Sequence, residues 1–181
     1  MSIILNNSTK FPAQFTVMKG QQLVENLPGV APGASVSIPT NNTYTVTAST
    51  TIENNVYTSA PLTVDGTMGF QAQVIQDSKQ GTYVFNMVEV PSTAPNQLQF
   101  QKTCLNDATF SISKDGSFLQ AINVSDNFNS VNLTLSDTFS IVAVVNGVTT
   151  SAVETGSANA TVTAIIDTAK HEAGYFTLTI S

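Results

Sequence analysis

The segment SVSIPTNNTYTVTA at 35–48 is echoed 95 positions later by SVNLTLSDTFSIVA at 130–143. Val36, Ile38, Tyr44, Val46 and Ala48 fall on Val131, Leu133, Phe139, Ile141 and Ala143, so apolar positions coincide along the whole block. The same offset lays AQFTVMKG (13–20) over ATFSISKDG (108–116), with Phe15 on Phe110, Val17 on Ile112 and Lys19 on Lys114. A three-residue gap then changes the offset to 92 and brings VYTSA (56–60) onto VTTSA (148–152). Ser59-Ala60 falls on Ser151-Ala152, and Tyr83-Val84 on Tyr175-Phe176. Four blocks in one order, with one small gap, are the mark of a tandem duplication and are hard to obtain from composition bias.

Within each copy the apolar period is two. In VNLTLSDTFSIVAVV, Val131, Leu133 and Leu135 alternate with polar neighbours; after a turn at Ser136-Asp137, Phe139, Ile141, Ala143 and Val145 resume the alternation. That period, with β-branched and aromatic residues, predicts half-buried strands. Turn signals such as ENN, VDG, KDG and NG recur every ten residues or so, and Asn146-Gly147 reads as a tight hairpin. Only IIDTAKHEAG (165–174) offers a helical turn, and a loop explains it equally well.

Several short strands in about ninety residues cannot bury one face without a second layer. The expected fold is therefore all-β: two tandem antiparallel β-sandwich domains of immunoglobulin-like size, from an internal duplication, at residues 1–92 and 93–181. VPSTAPNQ (90–97), with two prolines, is the expected connector. With one cysteine and no tryptophan the immunoglobulin Cys…Trp…Cys signature is absent, so the term describes architecture alone.

Charge narrows the function classes. Only 10% of residues are charged, against about 25% in an average domain. The net charge is −6 and all basic residues are lysines, which disfavours nucleic acid as a partner. No apolar run approaches the roughly 18 residues of a membrane span. MSIILNNSTK lacks a basic n-region, so the expectation is a cytoplasmic protein, or one released by a leaderless route or as part of an assembly.

Catalytic chemistry is hard to place. His171 is the sole histidine, in a polar connector without a nucleophile motif, and Cys104 is the sole cysteine. A non-enzymatic protein is expected, with no cofactor unless calcium binds. Oxygen donors at Asp115, Asp126, Asn127 and Asp137 are the candidate calcium ligands; Asx residues capping turns are the alternative. Tyr57, whose place in the second copy is taken by Thr149 rather than an aromatic, is the candidate surface contact for a glycan.

Uncharged β-prone segments such as TYTVTAST and FSIVAVV lack the lysines that usually guard sheet edges. The favoured function is thus structural: self-association or adhesion, with homo-oligomers as the expected state. A lectin-like carbohydrate-binding protein, with or without calcium, is the second reading. A β-rich membrane-acting toxin is the third.

Overall fold

The computed structural model describes residues 1–41, 43–125, 129–169 and 175–181. They form strands and no helix. The first nine strands are β1 (Ser2–Asn7), β2 (Ala13–Lys19), β3 (Gln22–Val30), β4 (Ser35–Pro39), β5 (Thr43–Ile52), β6 (Asn55–Thr58), β7 (Leu62–Asp65), β8 (Met68–Asp77) and β9 (Thr82–Val90). The next nine are β10 (Gln97–Lys102), β11 (Ala108–Lys114), β12 (Ser117–Val124), β13 (Ser130–Thr134), β14 (Phe139–Val145), β15 (Val148–Thr149), β16 (Val153–Thr155), β17 (Thr161–Ile166) and β18 (Phe176–Ile180).

Period-two alternation is strict along the central strands β5, β11 and β14. Along β11, Ala108, Phe110, Ile112 and Lys114 are buried while Thr109, Ser111 and Ser113 face outward. Along β14, Phe139, Ile141, Ala143 and Val145 are buried. One face of each strand must leave water, and two such faces laid together make a core about 10 Å thick.

The chain folds into two compact units, and they are not its two halves. Unit 1 is Met1–Asn41 with Ser136–Ser181; unit 2 is the continuous stretch Asn42–Leu135. Unit 1 has the sheets β18-β17-β1-β4 and β15-β14-β2-β3, with β16 also on β14. Unit 2 has β9-β8-β10-β13 and β12-β11-β5-β6, with β7 also on β5. Counting strands from one to nine within each set of nine, both units show the same two sheets, 9-8-1-4 and 6-5-2-3. In each unit, strands one to four come from one set and five to nine from the other.

This differs from the expected domains at 1–92 and 93–181. Strands that match in pattern present matching faces, so either one satisfies the same neighbour; which one does so is invisible to pattern. The expected connector at 90–97 accordingly lies inside unit 2. It passes from β9 to β10 across the start of β8, where Gly69 pairs with Val90 and Met68 with Leu98. Gln99 Nε2 donates to Thr93 Oγ1 (3.0 Å), and the Leu135 N–H donates to the Asn96 carbonyl (2.7 Å). A Cβ on Gly69 would lie 2.8 Å from the Val90 side chain and carbonyl, so only glycine admits this crossing.

Two further expectations are corrected. The sheets are not wholly antiparallel: β1 runs parallel to β17, and β8 to β10. Side-chain alternation is the same for either direction, so the sequence did not distinguish them. The register of the match between the two sets of strands also shifts by one beyond the β5–β6 hairpin. Ser59 Oγ accepts the Ala48 N–H (2.9 Å), and the residue serving Ala143 in that way is Thr150 (3.1 Å), not Ser151. The shorter hairpin lacks two residues from each arm, and an even number per arm keeps every inward side chain inward. In the last strand of each set, Phe85 faces Val74 and Phe176 faces Ile166, so Tyr175 matches Val84.

Each unit has its own core. Unit 1 buries Ile3, Leu5, Phe15, Val17, Phe139, Ile141, Val162 and Phe176, among others. Unit 2 is more aromatic: Phe70 stacks on Phe100 with centroids 5.3 Å apart, and Phe110 tilts against Phe100 at 5.2 Å. Each fully buried ring contributes about 1.5–3 kcal/mol.

Candidate functional site

In unit 2, β5 and β11 turn a ladder of hydroxyls outward. Thr45 pairs with Ser113, Thr47 with Ser111, and Ser49 with Thr109. At one end the ladder opens into a hollow of about 410 Å³ lined by Ser49, Thr50, Thr51, Val56, Asp107 and Thr109.

The loop carrying Asp107 is tied down by buried polar groups. The Thr50 hydroxyl points inward and donates to the Asp107 carbonyl (2.7 Å). Lys102, only 2% exposed, donates from Nζ to the carbonyls of Leu105 (3.3 Å) and Asn106 (2.9 Å). Asn106 Nδ2 donates to the Thr51 carbonyl (2.9 Å). Burying an ammonium is costly unless its donors are satisfied, so Lys102 acts as an internal fastener. The Asp107 side chain remains exposed beside the hydroxyls, with the apolar surfaces of Val56 and Leu105 also exposed. One carboxylate, several hydroxyls and a small apolar rim can accept and donate hydrogen bonds to a neutral polyol.

The residues expected to bind ligands fare differently. Tyr57 lies on β6 opposite Thr50, half-buried, and its ring packs on the unit 2 core. Alternation along β6 turns Val56 further outward than Tyr57. Asp115 sits in the β11–β12 hairpin with a left-handed backbone (φ 50°), followed by Gly116 at φ 80°. Asp137 is exposed in the turn before β14, where Ser136 Oγ accepts the Thr138 N–H (3.1 Å). Asp115 belongs to unit 2 and Asp137 to unit 1. Asp126, Asn127 and His171 lie outside the described residues, among which no three potential metal ligands cluster. Cys104, in the same loop as Asp107, donates from Sγ to the Asn106 carbonyl (3.5 Å). Burial pushes its thiol above the ordinary value, and the Lys102 ammonium draws it partly back.

The sheet edges form the second surface of interest. The end strands β3, β4, β6, β9, β12, β13, β15 and β18 contain no lysine, and their only carboxylates are Glu25 and Glu89. β7 and β16, beside β6 and β15, add Asp65 and Glu154. Among the described residues, lysines in strands occur only at Lys19, Lys102 and Lys114, all in central strands. β12 (SFLQAINV) is uncharged throughout and exposes Phe118 by 63%; on the β8–β9 hairpin, Ile75 and Val84 face each other, each half exposed. Sequence pattern located the uncharged strands but not which of them end a sheet.

Comparisons of the chain with protein-family models, with curated proteins and with solved structures gave no match.

Proposed function

We propose that this is a non-enzymatic structural protein, built from a duplicated β-sandwich module of immunoglobulin-like size, that associates with its own copies or adheres to other surfaces. The observation carrying this reading is the placement of charge: end strands hold no lysine, while strand lysines sit in the middle of sheets. An end strand offers backbone donors and acceptors to any extended partner, and charge or proline is the usual guard. Here β12 has neither, and β9 has Glu89 alone. A net charge of −6 over 181 residues opposes close approach only weakly at physiological salt.

Light scattering after size-exclusion chromatography over a wide concentration range tests the reading. The expected result is mass rising with concentration, and a shift towards monomer in the variant Phe118→Lys/Val84→Lys, which puts charge on β12 and β9. A strict monomer at millimolar concentration overturns self-association.

The hollow at Ser49, Thr51, Asp107 and Thr109 favours a second reading, a protein that binds neutral glycans. Its hydroxyl ladder and single exposed carboxylate suit vicinal hydroxyls, and calcium at Asp115 or Asp137 remains part of this proposal. A glycan array read with and without chelator, using the native chain and Asp107→Asn, separates it from the first: retention lost in the variant supports it.

A further inference from the structure

Unit 1 is held together without a direct covalent path. Met1–Asn41 and Ser136–Ser181 are separated in sequence by the whole of unit 2, and they join only through side chains and strand ladders. Those ladders are the centre of the unit. β1 lies parallel to β17 from Ile4–Thr161 to Asn7–Ala164, and β2 lies antiparallel to β14 from Lys19–Phe139 to Ala13–Val145. Each segment keeps its own outer pairings: β1–β4 and β2–β3 in the first, β14–β16 and β17–β18 in the second.

The core is divided evenly between them. Ile3, Leu5, Ala13, Phe15, Val17, Val24, Val30 and Ile38 come from the first segment; Phe139, Ile141, Ala143, Val145, Val162, Ala164, Phe176 and Leu178 come from the second. Neither segment can bury its apolar face alone. Each needs its complement, and every copy of the chain carries one. Unit 2 is one continuous stretch with a core of its own.

We infer that the partner for which this surface is built is a second copy of the chain, taken up by segment exchange: Met1–Asn41 of one molecule closes unit 1 with Ser136–Ser181 of another. The closed and exchanged forms contain the same ladders and the same core, so they differ mainly in the entropy of joining two molecules. Segments tethered in one chain meet at an effective concentration on the order of millimolar, so exchange competes when protein approaches that level or refolds while concentrated. Reciprocal exchange gives a closed dimer, and successive exchange gives an open string. The inference rests on the self-association reading and supplies its route.

Cross-linking tests it. Gln14 and Val144 stand directly opposite in the β2–β14 ladder. In a Cys104→Ser background, one population carries Gln14→Cys and the other Val144→Cys. They are mixed, unfolded and refolded at high concentration, then treated with a short bismaleimide. The expected product is a covalent pair of one chain of each kind, seen as a shift from 19.1 kDa to twice that mass. It should exceed same-variant pairs and vanish when the populations are refolded separately before mixing. A chain carrying both cysteines, treated when dilute, must link internally, which shows that the substitutions are tolerated; Thr16→Cys with Val142→Cys replaces the pair if it does not. Oligomers by light scattering without the mixed product overturn exchange and leave association intact. Monomers alone, with no mixed product, overturn both.

Discussion

The Lys19 ammonium lies 5.5 Å from the centre of the Phe139 ring, directly across the β2–β14 ladder. Lys114 stands 5.7 Å over Tyr44 in unit 2. In sequence, Lys19 matches Lys114 and Phe139 matches Tyr44. Each lysine therefore meets a ring from the other set of nine strands.

Lys114 is 5% exposed, so its ammonium interacts with Tyr44 with little competition from water. Lys114→Ala is expected to cost about 1–2 kcal/mol, and Lys19→Ala, at a half-exposed site, roughly 0.5–1 kcal/mol. Chemical denaturation of both variants checks the order; an equal or reversed cost refutes it.

Burial pushes the Tyr44 phenol up to about 12. An unfolded tyrosine ionises near 10, so below that pH both states hold the proton and stability is unaffected. Between about 10 and 12 the unfolded chain loses the proton first, and stability falls as pH rises, by at most about 3 kcal/mol. Unfolding in urea from pH 9 to 11.5 should show the decline, and Tyr44→Phe should flatten it. Phe139 occupies the matching place in unit 1 and adds nothing to it.

The two-residue hairpin loops differ in fitness. Asn146 and Gly147 take φ 51° and 77°, the left-handed pair such a loop needs, and their residue types suit it. Glu53 and Asn54 take φ 48° and 67°, where glutamate is disfavoured. Replacing them with Asn-Gly (Glu53→Asn, Asn54→Gly) should stabilise the protein by about 0.5–1 kcal/mol. An unchanged or lower melting temperature would contradict the assigned backbone geometry.

Cys104 combines partial burial with a thiol raised above its ordinary value. Its alkylation by iodoacetamide at pH 7.5 should run several-fold slower than that of an unstructured cysteine and accelerate only at higher pH. Reaction at the unstructured rate would mean the 103–107 loop opens freely.

Much of the strand inventory was legible. Phe15, Phe110, Ile141 and Val145 read as inward residues from alternation alone, and Asn146-Gly147 marked its own turn. Tyr57 did not, because a half-buried residue on a four-residue strand carries no period long enough to show its face. The hollow at Asp107 was equally hidden. It depends on Lys102 bonding to a carbonyl four residues away and Asn106 to one 55 residues away, and no spacing rule anticipates those bonds.

From residues alone came an all-strand chain and the face of most strands that turns inward. Each follows from local stereochemistry and the cost of wetting apolar side chains, which act within a few residues. Folding decided which copy of each strand stands beside which. Matching strands offer their neighbours the same hydrogen bonds and the same apolar face, and the tertiary fold sets strands one to four of each set of nine beside strands five to nine of the other.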